Sequence, residues 1–257
     1  MTGGEGGGTS RAALACDNLT KRFGGLEAVK DVTLKVTAGE RRAIIGPNGA
    51  GKTTFFSLVS GLYPVTAGTI HLLGNDITKL PSHKRTSLGL GRTFQITNLF
   101  PTLSVIENLV IATMGLRSLK YSMLKPASRY HDLFERAKEV LESVGMTEKS
   151  KDLVKNLSHG EQRQVEISLA LVSKPKVLLL DEPTAGLSPA ESATMTELIH
   201  KLDRDMTILI IEHDMDVALQ VAESITVFHE GRVFEEGPTA AIRSSERVQE
   251  IYFGTEE

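Results

Sequence analysis

Arg41-Arg-Ala-Ile-Ile-Gly46-Pro47-Asn48-Gly49-Ala50-Gly51-Lys52-Thr53-Thr54-Phe-Phe-Ser-Leu-Val-Ser-Gly-Leu62 decides the reading of this chain. Residues 41–45 end in an apolar stretch that reads as a strand, residues 46–51 interrupt it with glycines, and 53–62 resume with helical spacing. Gly46 to Thr53 matches G-x-x-x-x-G-K-[ST] in full. Glycines let the backbone curl so that several N–H groups point inward at phosphate, and the following helix adds the positive end of its dipole. Lys52 can then reach the β and γ phosphates, and the Thr53 hydroxyl can hold Mg²⁺, so ATP and Mg²⁺ are the expected ligands.

A second pair of segments suits the same chemistry. Val177-Leu-Leu-Leu-Asp181 is an apolar run ending in acid, as expected of a buried parallel strand. Ligands of open α/β sheets gather at the carboxyl ends of such strands. Asp181 is a candidate Mg²⁺ ligand, directly or through water, and Glu182 a candidate general base for water attacking the γ-phosphate. Thr207-Ile-Leu-Ile-Ile211-Glu212-His213 repeats the arrangement. A lone histidine at such a place is more often structural; beside a phosphate loop, His213 can contact the γ-phosphate and sense its loss.

Around these segments, residues 13–36, 69–73, 226–228 and 232–234 read as strands, the last two as a hairpin about Glu230-Gly231. Residues 103–111, 130–144 and 160–172 read as helices, the second stopped by Gly145, and a short helix is expected after Pro238. Buried strands alternating with helices imply an α/β core. The stretch from about 92 to about 169 lacks good strand candidates and reads as a helical lobe inserted between core segments at about 11–91 and 170–257.

Composition sets the outer limits. The chain has 257 residues, a formal net charge of −3, 40% hydrophobic residues and 24% charged ones, an ordinary globular balance that offers nothing for a basic nucleic-acid interface. The single cysteine, Cys16, cannot pair internally and fits a reducing compartment as a small buried hydrophobe. The glycine-rich residues 1–10 carry no apolar h-region and read as a disordered leader. No apolar run approaches the ~20 residues that cross a bilayer, so any membrane role is expected to run through a partner.

Leu157-Ser158-His159-Gly160-Glu161-Gln162 resembles the signature of the ABC ATPases, usually LSGGQ, with His159 and Glu161 as departures. Ser158 and Gly160 keep a hydroxyl and a close backbone approach at a helix N-terminus, both suited to phosphate. Other landmarks follow in the family's order. Phe23 matches the aromatic that stacks on adenine, with a plain core phenylalanine as the rival reading. Gln95, in Arg92-Thr-Phe-Gln95, matches the glutamine that touches Mg²⁺ and the attacking water and senses the membrane partner. Ala185-Gly-Leu-Ser188 matches the D-loop, with Ser188 where aspartate is commoner, and His213 matches the switch histidine.

The resemblance covers nearly the whole chain after the leader. It implies a P-loop NTPase core of ABC type, with a mixed sheet plus the inserted helical lobe, powering transmembrane transport. Gly89-Leu-Gly-Arg-Thr-Phe-Gln95, Leu99-Phe100-Pro-Thr-Leu103, Ile211-Glu-His-Asp-Met215 and Ile251-Tyr-Phe-Gly254 look similar to ATPases of branched-chain amino-acid importers. In that family two ATPase domains sandwich ATP between the phosphate loop of one and the signature of the other. A second ATPase, identical or related, is therefore expected. So are transmembrane permease subunits, a periplasmic or extracellular substrate-binding protein reached through the complex, and a peripheral place on the cytoplasmic face of the inner membrane. Three alternatives stay open: another cargo such as urea, amides or exported lipid; a soluble ABC ATPase; and a non-catalytic nucleotide switch.

Overall fold

The structure is a computed structural model describing residues 11–93, 99–116 and 131–253. Its elements run β1 (Ala12–Phe23), β2 (Leu26–Thr37), β3 (Arg41–Ile45), α1 (Lys52–Ser60), β4 (Ala67–Leu72), β5 (Asn75–Asp76), α2 (Ser82–Ser87) and β6 (Leu90–Arg92). Then come α3 (Val105–Leu116), α4 (His131–Ser143), α5 (His159–Leu171), β7 (Val177–Asp181), α6 (Pro189–Lys201) and β8 (Thr207–Ile211). The chain closes with α7 (Met215–Val221), β9 (Ser224–His229), β10 (Arg232–Pro238), α8 (Thr239–Arg243) and α9 (Glu246–Phe253).

Two sheets result. The order β2-β1-β4-β5 is antiparallel throughout. The order β10-β9-β3-β8-β7-β6 is parallel except for the β9–β10 hairpin. Every residue of β7 and β8 is buried, because a central parallel strand is covered on both faces. Side chains alternate across a strand, and the core divides accordingly. Leu178, Leu180, Ile208 and Ile210 pack with Val105, Leu133, Val140, Val165, Met195 and Ile199 of α3 to α6. Val177, Leu179, Leu209 and Ile211 pack on the other side with Phe55 and Phe56 of α1 and with β1, β2 and β4. The phosphate loop thus lies on one side of the sheet and the helical segment on the other.

Arginines, Arg85 buried and Arg136 partly so, finish two helix ends, where carbonyls lack partners. Arg85 donates to Leu58 O at 2.6 Å and Val59 O at 2.8 Å, at the end of α1. Arg136 donates to Leu171 O and Val172 O, at the end of α5.

Several elements depart from the sequence expectations. The sheet reaches Arg92 through β6, an edge strand of three residues next to β7. The helices α2, α6 and α7 and the two-residue β5 had no expectation attached to them. Cys16 is buried as expected, and burial pushes its thiol pKa up. Residues 1–10 lie outside the described residues. Among the described residues no helix is long and apolar enough to cross a membrane.

Candidate active site

The phosphate loop joins the carboxyl end of β3 to α1. Glycine is required at two of its positions: a Cβ on Gly46 would lie 2.1 Å from Phe228 O, and one on Gly51 2.4 Å from Ala28 O. Both also have positive φ, at 145° and 98°. Gly51 N-caps α1 with no side-chain cap, and the first turn itself holds no acid, so no carboxylate of the helix caps its own amides. Lys52 folds onto the loop, its Nζ donating to Gly46 O at 2.5 Å and Pro47 O at 3.0 Å. Burial pushes its ammonium pKa down, and Glu182 and Asp181 pull it back up. Asn48, Gly49 and Ala50 complete the curl, and Thr53 and Thr54 start the helix half-buried.

β7 delivers Asp181 and Glu182 beside Lys52. Asp181 is buried, and its Oδ2 accepts from Arg92 Nη2 at 2.9 Å while Oδ1 has no protein partner. Burial pushes the Asp181 carboxyl pKa up, against the guanidinium. Glu182 adopts φ 50°, in the left-handed region that side chains avoid. Such a backbone costs of order 1–3 kcal/mol and is held by its surroundings. Here Glu182 N donates to Ile211 O across the strand ends. Glu182 Oε1 meets His213 Nε2 at 2.6 Å, so the sequence-predicted base and switch histidine are brought together; the glutamate is 17% exposed and the histidine 43%.

Beneath them lies a group that sequence reasoning passed over. Glu212 is buried and accepts from Thr184 Oγ1 at 2.9 Å and Thr184 N at 3.3 Å, joining the histidine loop to the segment after Glu182. Burial pushes its pKa up to about 7.

Phe23 ends β1 and is 43% exposed, so it is not a core phenylalanine. Tyr63 meets it edge-on at 5.3 Å, and Lys21 Nζ lies 4.9 Å from its ring centroid. Lys21 shares the strand with Phe23 two residues away, whereas the Tyr63 contact depends on the loop after α1 returning to β1 and left no mark in the sequence. Gln95 lies outside the described residues.

The signature opens α5. Ser158 is its N-cap and forms a capping box with Glu161: Glu161 N donates to Ser158 Oγ, and Ser158 N donates to Glu161 Oε2. The Ser158 N–H and Lys149, whose Nζ lies 3.1 Å from Glu161 Oε1, hold the Glu161 carboxyl pKa down. Gly160 N donates to Glu191 Oε1 at 3.0 Å. Glu191 belongs to α6, which Ser188 caps in a second capping box, so Ser188 replaces aspartate with another good N-cap. Bonds from Ser188 and Gly160 hold the Glu191 carboxyl pKa at about 2. Among the described residues no hydrogen bond or ion pair joins 158–161 to the phosphate loop or to Asp181 and Glu182.

A glycine cradle, a lysine, a buried strand-end aspartate, a glutamate–histidine pair and a serine-capped signature helix together define a phosphate-loop ATPase of the ATP-binding cassette class. The model of the ABC transporter family matches residues 29–185. The chain is 39% identical over 252 residues to the high-affinity branched-chain amino acid transport ATP-binding protein BraF of Pseudomonas aeruginosa, covering 95% of this chain and 99% of BraF. It superposes on the ADP conformation of MJ1267, an ATP-binding cassette of an ABC transporter, with TM-score 0.84 and 31% identity, over 95% of this chain and 99% of that one. The dimeric post-hydrolysis cassette MJ0796, bound to ADP and Pi, matches at TM-score 0.73 and 25% identity, over 88% and 98% of the two chains. The chain belongs to the ABC transporter family, and it is an ATPase of that family.

The site also fits Mg²⁺. Asp181 Oδ1 is a buried oxygen without a protein partner, and Thr53 offers a hydroxyl at the start of α1. Among the described residues no cluster of three His, Cys, Asp or Glu side chains forms a metal cage. One carboxylate plus substrate phosphates is how Mg²⁺ is usually bound.

Proposed function

We propose that this chain powers an importer of branched-chain or other hydrophobic amino acids, hydrolysing ATP between its own phosphate loop and the signature of a second ATPase subunit. The pairing of Glu182 with His213 at 2.6 Å, at the strand end beside Lys52, carries the catalytic part. The name of BraF supports the cargo, and the dimeric cassette supports the second subunit.

In this reading Gly46 to Thr54 bind the phosphates, and Lys52 offsets their charge. Phe23 stacks on adenine. Thr53, Asp181 and Gln95 hold Mg²⁺, which when bound neutralises charge on the phosphate oxygens. Glu182 takes the proton of the attacking water, and His213 orients Glu182 through its bound oxygen and contacts the γ-phosphate. Ser158, Gly160 and Glu161 present the signature to the partner's nucleotide. Permease subunits and a substrate-binding protein complete the assembly, with this chain peripheral on the cytoplasmic face of the inner membrane.

The test is recovery of the chain from native membranes in mild detergent, followed by reconstitution with whatever co-purifies. Co-purifying permeases and ATP-driven leucine uptake are expected. ATP-driven uptake of urea or short amides, or export of lipid, would overturn the cargo and leave the ATPase standing.

A further inference from the structure

Arg92 stands in the stretch that leads to Gln95, yet no role attaches to it from the sequence. The structure buries it, with 7% of its side chain exposed against none of Asp181. Its guanidinium is fixed at both ends. Nη2 donates to Asp181 Oδ2 at 2.9 Å. Nη1 donates to Ser60 Oγ at 2.7 Å and more weakly to Ser57 Oγ at 3.4 Å, both on α1. Its Cζ lies 6.0 Å from the ring centroid of Phe56. The backbone closes the same frame: Arg92 pairs with Leu179, Thr93 N donates to Leu179 O, and Asp181 N donates to Thr93 Oγ1 at 3.2 Å.

The asymmetry of Asp181 is informative. A carboxylate has two accepting oxygens, and here one is taken by arginine while the other is buried without a protein partner. A buried polar atom in that condition needs a reason, and an ion is one. Arginine suits the holding task because its planar fork fixes direction as well as charge.

We propose that Arg92 is a positioning residue for the Mg²⁺ ligand Asp181, clamping Oδ2 so that Oδ1 faces the metal and tying that carboxylate to the strand that enters the Gln95 segment. The proposal rests on the reading of Asp181 as a metal ligand given above. Partners that orient a metal ligand typically contribute about 10–100-fold to metal affinity.

The experiment uses the full chain with Glu182→Gln, so that ATP is not consumed. ATP binding is titrated by calorimetry in EDTA and then across Mg²⁺ concentrations. Arg92→Met is expected to raise the Mg²⁺ needed for half-maximal enhancement by about 10-fold or more, with ATP affinity in EDTA little changed. A merely structural role would weaken both alike. Arg92→Lys restores part of the effect, and Ser60→Ala, which frees only the far end of the tether, gives a smaller shift in the same direction. Asp181→Asn separates the two layers. If it raises the Mg²⁺ requirement and Arg92→Met does not, the Arg92 role is overturned. If Asp181→Asn leaves the requirement unchanged, the metal-ligand reading falls and the Arg92 role with it. Should Arg92→Met fail to bind ATP in EDTA, an unchanged Mg²⁺ requirement in both Arg92→Lys and Ser60→Ala overturns the proposal.

Discussion

Two helix N-termini in this chain are suited to phosphate, and they are finished in opposite ways. At α1 the cap is Gly51, no side chain caps the first-turn amides, and no acid lies in that turn. At α5 the cap is Ser158, Glu161 folds back on it, and Glu191 reaches across from α6 to the Gly160 N–H. Orphan amides at a helix start attract anions. The first end leaves that attraction for a ligand; the second satisfies it with the chain's own carboxylates. An incoming phosphate therefore meets an open cradle at α1 and a competitor at α5. The difference teaches that the same helix device is left open to an anion or is already satisfied according to which side chains flank it.

The largest effect is expected from breaking the open end. Lys52→Ala should abolish tight ATP binding and lower hydrolysis by at least about 100-fold, checked by equilibrium binding and phosphate release. Unchanged binding would show that the α1 cradle does not depend on its cation. Next, Glu182→Gln should slow hydrolysis by about 100-fold or more while ATP still binds. Single-turnover kinetics at a near-normal rate would remove Glu182 as the base.

A smaller change sharpens the closed end. In the Glu182→Gln background, Glu191→Gln removes the competing charge from Gly160. ATP-driven dimerisation, followed by light scattering, should tighten by about 3- to 10-fold, and the gain should shrink with added salt as exposed charges are screened. A loss of dimerisation would mean that the carboxylate supports the signature rather than competing for it.

The smallest effect concerns acid. The Glu191 carboxyl is depressed from 4.5 to about 2 in the folded chain, so its contribution to stability is present above about 4.5 and is lost as pH falls towards about 2. Thermal unfolding across that window should show a fall in stability that Glu191→Gln makes shallower, the other depressed carboxyls such as Glu161 still contributing, and that Lys52→Ala leaves in place.

Much of this was legible before any coordinates, for a physical reason. Phosphate binding needs a tight backbone curl, a cation and a hydroxyl at fixed spacing, and residues 46–53 carry all three within one local stretch. The apolar runs at β7 and β8 declared themselves because strands buried on both faces are nearly continuous in apolar residues, with the polar Asp181 and Thr207 confined to their ends. The helix α6 escaped notice because only Met195, Thr196, Leu198 and Ile199 of its residues are buried, a sparse stripe in a mostly polar segment. The edge strand β6 is three residues long, too short for any period to show.

The sequence by itself determined the ATPase class, the phosphate loop, the acidic strand end and the signature helix, because each is a contiguous motif whose chemistry depends on near neighbours. Only the tertiary structure decided what those motifs lean on. Arg92 meets Asp181 across 89 residues, Gly160 meets Glu191 across 31, and Thr184 meets Glu212 across 28. Such contacts are set by how the sheet orders its strands and how α5 and α6 pack upon it, and side-chain pairs brought together by packing leave no fixed spacing in the chain.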